Sequence, residues 1–295
     1  MNKRAVAILL GGIISSSLIY SHPVYAHNFG GDQSASFLAK VAEIKTEINL
    51  LAKHVTDLET VDYYADALSE YWNANDTKEM GERNKLLAKE IPDTINSTIN
   101  DAKAGNQAAV TADASQLNGY LDEAVPVRID KDKLNNSTVQ ALAVTFILKE
   151  ALEKYGNGLN STVDLNEMSQ MNMTNSSSMS GGMSDSGNIV DQNAYENSIG
   201  LASAAQKMFM DLAAKNPDKS TYNNKIDTLF TNLLRDLNNK ADANTIMMDV
   251  HVKIHPGLIS GYDIEPIPEF PMPVLLVIIS IIGVIAITKF GPKLR

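Results

Sequence analysis

The stretch Ser34-Ala-Ser-Phe37-Leu-Ala-Lys-Val41-Ala-Glu43-Ile44-Lys-Thr-Glu47-Ile48-Asn-Leu-Leu51-Ala-Lys-His54-Val55-Thr-Asp-Leu58 decides the fold. Its large apolar residues, Phe37, Val41, Ile44, Ile48, Leu51, Val55 and Leu58, follow one another at alternating steps of four and three. That spacing keeps one face of a helix apolar and makes it a seam against other helices. Ser34 or Asp32 serves as its cap. Glu43 and Glu47 fall beside the seam and are expected to be solvated flank residues. His54 is expected on an exposed edge next to Leu51 and Val55.

Helical spacing continues outward from this stretch. Val61, Tyr64, Ala65, Leu68, Tyr71 and Trp72 repeat it. Asp76-Thr77 is expected to cap a helix carrying Met80, Leu86, Leu87 and Ile91, with Pro92 in the first turn of the next one. A break at Ala104-Gly105-Asn106 precedes a helix through Val110, Leu117 and Leu121 that should end before Pro126. Asn136-Ser137-Thr138 opens a helix through Val139, Leu142, Phe146, Ile147, Leu152 and Tyr155, closed by Gly156-Asn157-Gly158. Short breaks and a persistent helical period predict an all-α, antiparallel helical bundle over 27–159. Residues 160–188 are Ser, Asn, Met and Gly with few aliphatic side chains, and they read as a flexible linker. A second helical segment, 189–260, follows. Within it Val250, Val252 and Ile254 alternate with His251, Lys253 and His255, which reads as an extended strand ahead of Pro256. In that geometry the two histidines are too far apart to share a metal.

The two ends differ from the middle. Met1-Asn-Lys3-Arg4, an apolar run to Tyr20 and Val24-Tyr25-Ala26 have the form of a signal peptide, 1–26, cleaved after Ala26 to leave His27 first. At the other end, a Pro-rich stalk over 261–273 is followed by an uncharged apolar span, 274–288, and a basic tail, 289–295. An all-round apolar run of this kind belongs in lipid as a C-terminal transmembrane helix, and a basic tail stays on the cytoplasmic side. At 1.5 Å per residue the span reaches only about 22 Å, short of the hydrocarbon core of about 30 Å. The basic residues of the two ends, Lys3, Arg4, Lys289, Lys293 and Arg295, have no acidic neighbours there, so the part between carries a formal charge of −15 against −10 for the chain. Such an acidic body repels nucleic acid and anionic headgroups. With no cysteine in 295 residues, disulfides and thiolate metal sites are excluded.

Pro268-Glu269-Phe270, the span after it and the basic tail, together with the signal-like start, resemble the tripartite sorting signal of exported archaeal surface proteins of the PEF-CTERM and PEFG-CTERM type. Pro271 stands where the PEFG form has Gly. The resemblance covers about a tenth of the chain. It implies display on the outer face of an archaeal membrane, contact with an archaeosortase-like processing enzyme near the motif, and surface-layer proteins as neighbours.

Enzyme signatures are missing. No His precedes a Glu, no Glu stands three residues before a His, and Gly-x-Ser-x-Gly, P-loop and dinucleotide patterns do not occur. The chain is read as non-enzymatic, a structural or binding protein. Copper is the one metal the sequence suggests. Met168, Met171, Met173, Met179 and Met183 follow no helical stripe, and soft thioethers select Cu(I). A mature N-terminal His27 would add an amine and an imidazole for Cu(II). Asn-x-Ser/Thr acceptor triplets begin at Asn75, Asn96, Asn135, Asn136, Asn160, Asn172 and Asn175 and mark glycan candidates on an exported chain.

Overall fold

A computed structural model describes residues 33–161, 164–166 and 188–264. Among these every regular element is a helix. In chain order they are α1 (Gln33–Leu51), α2 (Leu58–Tyr71), α3 (Ala74–Arg83), α4 (Lys85–Lys103), α5 (Gln107–Arg128), the short α6 (Lys131–Leu134), α7 (Ser137–Gly158), α8 (Gln192–Lys215), α9 (Ser220–Asn238), α10 (Ala243–Met247) and α11 (His255–Tyr262). A 3-10 turn, Pro217–Lys219, leads into α9, and a π-helix, Met248–Ile254, joins α10 to α11.

Two apolar cores form. Helices α1 to α5 enclose the first, with Ile44, Ile48, Leu68, Ile91, Leu117 and Leu121 all shielded from solvent. The second lies among α7 to α11, where Phe209 stacks on Phe230 at 5.5 Å between ring centres. Helix α1 belongs to both. Its Val41, Ile44, Ile48 and Leu51 face the first core, while Ala39 enters the second and Ala35 packs with Val139 and Ala143 of α7. It therefore touches α2, α5, α7 and α8. The seam read from the sequence is real, but it is one of two buried faces of the same helix.

The seam ends sooner than the repeat suggests. Helix α1 stops at Leu51; Val55 stays buried in the following turn, and Leu58 opens α2 with 61% exposure. The helix expected from Asp76-Thr77 through Ile91 starts earlier and is split in two at Asn84. Asn73, rather than Asp76, caps α3: its side chain accepts from the Asn75 and Asp76 backbone N–H groups, and the Asp76 carboxylate accepts from the Asn73 N–H. Asn84 then ends α3 and caps α4. Pro92 and Pro126 both lie inside helices. Each costs one backbone bond and is tolerated where packing holds both flanks.

The expected strand over 246–256 is helical instead. Pro256 has no N–H and crowds the carbonyl one turn back, so a regular α-helix cannot run straight through it. The chain widens to the π form just before it, with the His255 N–H bonding to the Val250 carbonyl. Val250, Ile254 and Leu258 are buried at four-residue steps, while Val252 faces solvent. Tertiary packing has overridden the β-branched residues that suggested a strand.

Residues on either side of the Met-rich segment are tied to the same helix end. Asn160, in the left-handed region at φ 50°, closes α7 with N–H bonds from Asn160 to Asn157 and from Ser161 to Gly156. The returning chain bonds the same end, Val190 and Asp191 both donating to the Gly158 carbonyl. Helices α7 and α8, which flank the segment, are the most extensively packed pair. Leu165, within the expected linker, is buried against Gly156.

Close approach of α8 to α1 is set by Gly200. A Cβ there would lie 2.8 Å from Cγ2 of Thr46. Gly200→Ala is expected to lower stability by about 1–3 kcal/mol in denaturant unfolding. Thr46→Ser, which removes that methyl, should recover most of the loss in the double variant. An unchanged unfolding midpoint in Gly200→Ala would show that the two helices are not held this close.

Candidate functional site

Between α1, α2, α7 and α8 lies a cluster of ionisable side chains that should not be inside a bundle without compensation. Glu47 is fully buried, and its Oε1 accepts from Nδ2 of Asn197, also fully buried, at 2.6 Å. Glu150 is 7% exposed and accepts from the Tyr71 hydroxyl at 2.9 Å. Lys154, one turn along α7, lies 3.3 Å from the same oxygen. Glu43, one turn before Glu47, is only partly exposed. The expectation that Glu43 and Glu47 are solvated flanks is thus overturned. Their side of α1 is covered by α7 and α8, and the small residues Ala39, Ala42 and Thr46 allow that cover.

Burial sets the charge state. It pushes Glu43 up to about 8, with Glu150 and Glu47 adding to the rise and Lys40 and Lys154 opposing it. It pushes Glu47 up to about 7, against the Asn197 hydrogen bond and the Lys154 charge, with Glu150 adding. The Tyr71 phenol is driven far above its ordinary value by burial and by Glu150. Burial lowers Lys154, but Glu150, Tyr63 and Glu47 more than reverse this, and it stays charged. The second oxygen of Glu47 and the amide oxygen of Asn197 have no hydrogen-bond partner. Loss of solvent around the carboxylate disfavours its charged form, which is the physical reason the value rises. Among the described residues no group of three or more His, Asp or Glu side chains is arranged to hold a metal ion.

The second polar feature is the histidine pair. His251 and His255, placed apart by the strand reading, have ring centres 5.2 Å apart on the helical turn. His251 Nε2 is 2.8 Å from the Leu165 carbonyl. His255 Nε2 is buried without a hydrogen-bond partner. Burial, followed by the charges of His251 and Lys149, takes His255 down to about 3, so its ring is neutral.

Of the other residues singled out from the sequence, His54 is not a lone exposed side chain. Its Nε2 is 2.8 Å from Oε2 of Glu196, and its ring stacks on Tyr64. Asn75, Asn96, Asn135, Asn136 and Asn160 are all exposed. Asn136 uses its side-chain oxygen to cap α7. The hydroxyl of Thr98, third in the Asn96 triplet, is buried against the Thr94 carbonyl, so a glycan there has to be added before α4 closes. Ala26, His27, the five clustered methionines, Asn172, Asn175, Pro268, Glu269, Phe270, the signal segment and the apolar span lie outside the described residues. Among the described residues no helix is long and apolar enough to cross a membrane.

Compared with protein-family models, with curated proteins and with solved structures, the chain matches none.

Raised carboxyl values fix the sign of a pH effect. A group that binds its proton more tightly when folded stabilises the fold fully below its unfolded value and loses that contribution as pH rises through its folded one. For Glu43 and Glu47 the window runs from about 4.5 to about 8. Stability measured by urea unfolding should fall across it. Glu43→Gln combined with Glu47→Gln should flatten the profile, with a difference on the order of a few kcal/mol at the alkaline end. Equal pH profiles for the two proteins would show that both carboxyls ionise freely.

Proposed function

We propose that this chain is a non-enzymatic, exported protein of the archaeal cell envelope. Its helical part stands outside the membrane in a structural or binding role, held by the C-terminal span. The observation that carries this reading is the pairing of the two ends: a signal-like segment closing at Ala26 and the sequence Pro268-Glu269-Phe270 followed by an apolar run and a basic tail. The acidic middle suits a crowded aqueous surface. The enclosed cluster supports a holding role over a catalytic one, since Glu47 and Asn197 bond to each other and are shut off from solvent. An archaeosortase-like enzyme acting near Phe270 and surface-layer proteins are the partners this reading implies.

A second reading, copper binding through Met168, Met171, Met173, Met179 and Met183 with His27, gains from one contact. The His251–Leu165 bond fixes the chain three residues before Met168 to the folded body.

Protease treatment of intact archaeal cells followed by intact-mass measurement tests the first reading. Surface-accessible protein beginning at His27 is expected. Recovery of the chain in the cytosolic fraction with Met1 in place would refute it.

A further inference from the structure

We propose that the last turn of α11 is a clasp that carries tension, the place where the helical body takes up a pull from its C-terminal tether. The origin of the pull rests on the membrane anchor proposed above; the clasp itself is read from the contacts of residues 259–264.

The end of a short helix is ordinarily its weakest part. Its last carbonyls have no partner within the helix, and so short a helix does not hold together alone. Helix α11 departs from this at Gly261 and Tyr262. The Gly261 carbonyl accepts from Nζ of Lys219 at 2.7 Å, and the Tyr262 carbonyl accepts from the hydroxyl of Thr138 at 2.8 Å. Lys219 ends the 3-10 turn before α9, and Thr138 lies in the first turn of α7. Two separate parts of the chain therefore take over orphan carbonyls of one turn. Asp263, in the left-handed region at φ 53°, turns the backbone so that its N–H and that of Ile264 both reach the Ile259 carbonyl.

The side chain of Tyr262 adds a third hold. It is fully buried, and its hydroxyl donates to Oδ1 of Asn223 at 2.6 Å. Asn223 is itself fixed, its amide donating to the Asn216 and Ala213 carbonyls at 2.9 and 3.3 Å. The hold thus reaches through α9 to the end of α8. The Lys219 ammonium also lies 5.4 Å from the centre of the Tyr262 ring, a favourable place for a cation.

Position gives these contacts their role. Ile264 is the last described residue, and the Pro-rich stalk read from the sequence, 261–273, begins on this turn. A pull arriving along the chain from Glu265 meets this turn first. Its bonds to α7, to the 3-10 turn and to α9 are then loaded together. Bonds that share a load break at a higher force than bonds opened one after another.

The test stretches the full chain with its C-terminal span held in a lipid-bilayer disc. The chain has no cysteine, so Lys207→Cys at an exposed position of α8 provides a single handle. Release of α10 to α11, about 20 residues, would lengthen the chain by about 70 Å. With the clasp unsubstituted, no such step should precede the main unfolding event. In Thr138→Val combined with Tyr262→Phe it should come first, at a clearly lower force. A short first step with the clasp intact overturns the proposal, and so does an unchanged trace in the double variant. Should the double variant fail to fold by circular dichroism, Thr138→Val alone decides by the same two criteria. Failure of the chain to enter the bilayer disc overturns the anchor reading instead. A second handle, Lys293→Cys, then applies the same pull, and the clasp stands or falls on the same steps.

Discussion

Helix α1 is buried on more than one side, and the rest of the architecture depends on that constraint. A surface helix needs one apolar stripe, and the remainder of its circumference can be polar. Here Ile44, Ile48 and Leu51 serve one core, while Ala35, Ala39 and Thr46 meet α7 and α8 across the other side. Large residues on one side and small residues on the other let α8 come close enough that Gly200 has no room for a side chain. Two groups of helices, each with its own apolar interior, share this single element.

Such a helix leaves little solvent-facing surface for its acidic residues, and the cluster around Glu47 follows from it. A buried ion pair rarely adds net stability over an apolar replacement, because desolvation offsets the attraction. Its more secure effect is on register. Asn197 meets Glu47 at one position of α8, and Tyr71 of α2 meets Glu150 at one position of α7, so a slide of one turn would strand several polar groups. Protons held on the carboxyls reduce the charge that has to be buried. The cluster reads as a fastening between helices whose strength varies with pH.

Much of this was legible in the sequence, and the failures have physical causes. The four-and-three spacing identified α1 and its first face, and helical period identified α7, α8 and α9. The second face of α1 was hidden because alanine and threonine carry little weight in a search for large apolar residues. The charged residues beside them then looked solvated. Ala35, Ala39, Ala42 and Thr46 at steps of four, three and four are the signal that would have exposed Glu43 as half-buried and Glu47 as buried. The region 246–256 failed for another reason: Val250, Val252 and Ile254 fit a strand locally, but their surroundings are helices that accept only a helical face. That error concealed the histidine pair, since a four-residue separation in a strand and in a helix differ by several ångströms. Glu150, Lys154 and Asn197 gave no local sign, because their burial comes from partners far along the chain.

The shared role of α1 makes one demand on energetics: the two cores should not come apart separately. Native-state hydrogen exchange over a range of low denaturant concentrations measures this directly. The account predicts that the slowest amides of α1, α5, α8 and α9 converge on a single opening free energy. Exchange of α8 and α9 through an opening of clearly lower free energy, with α1 to α5 still protected, would contradict it.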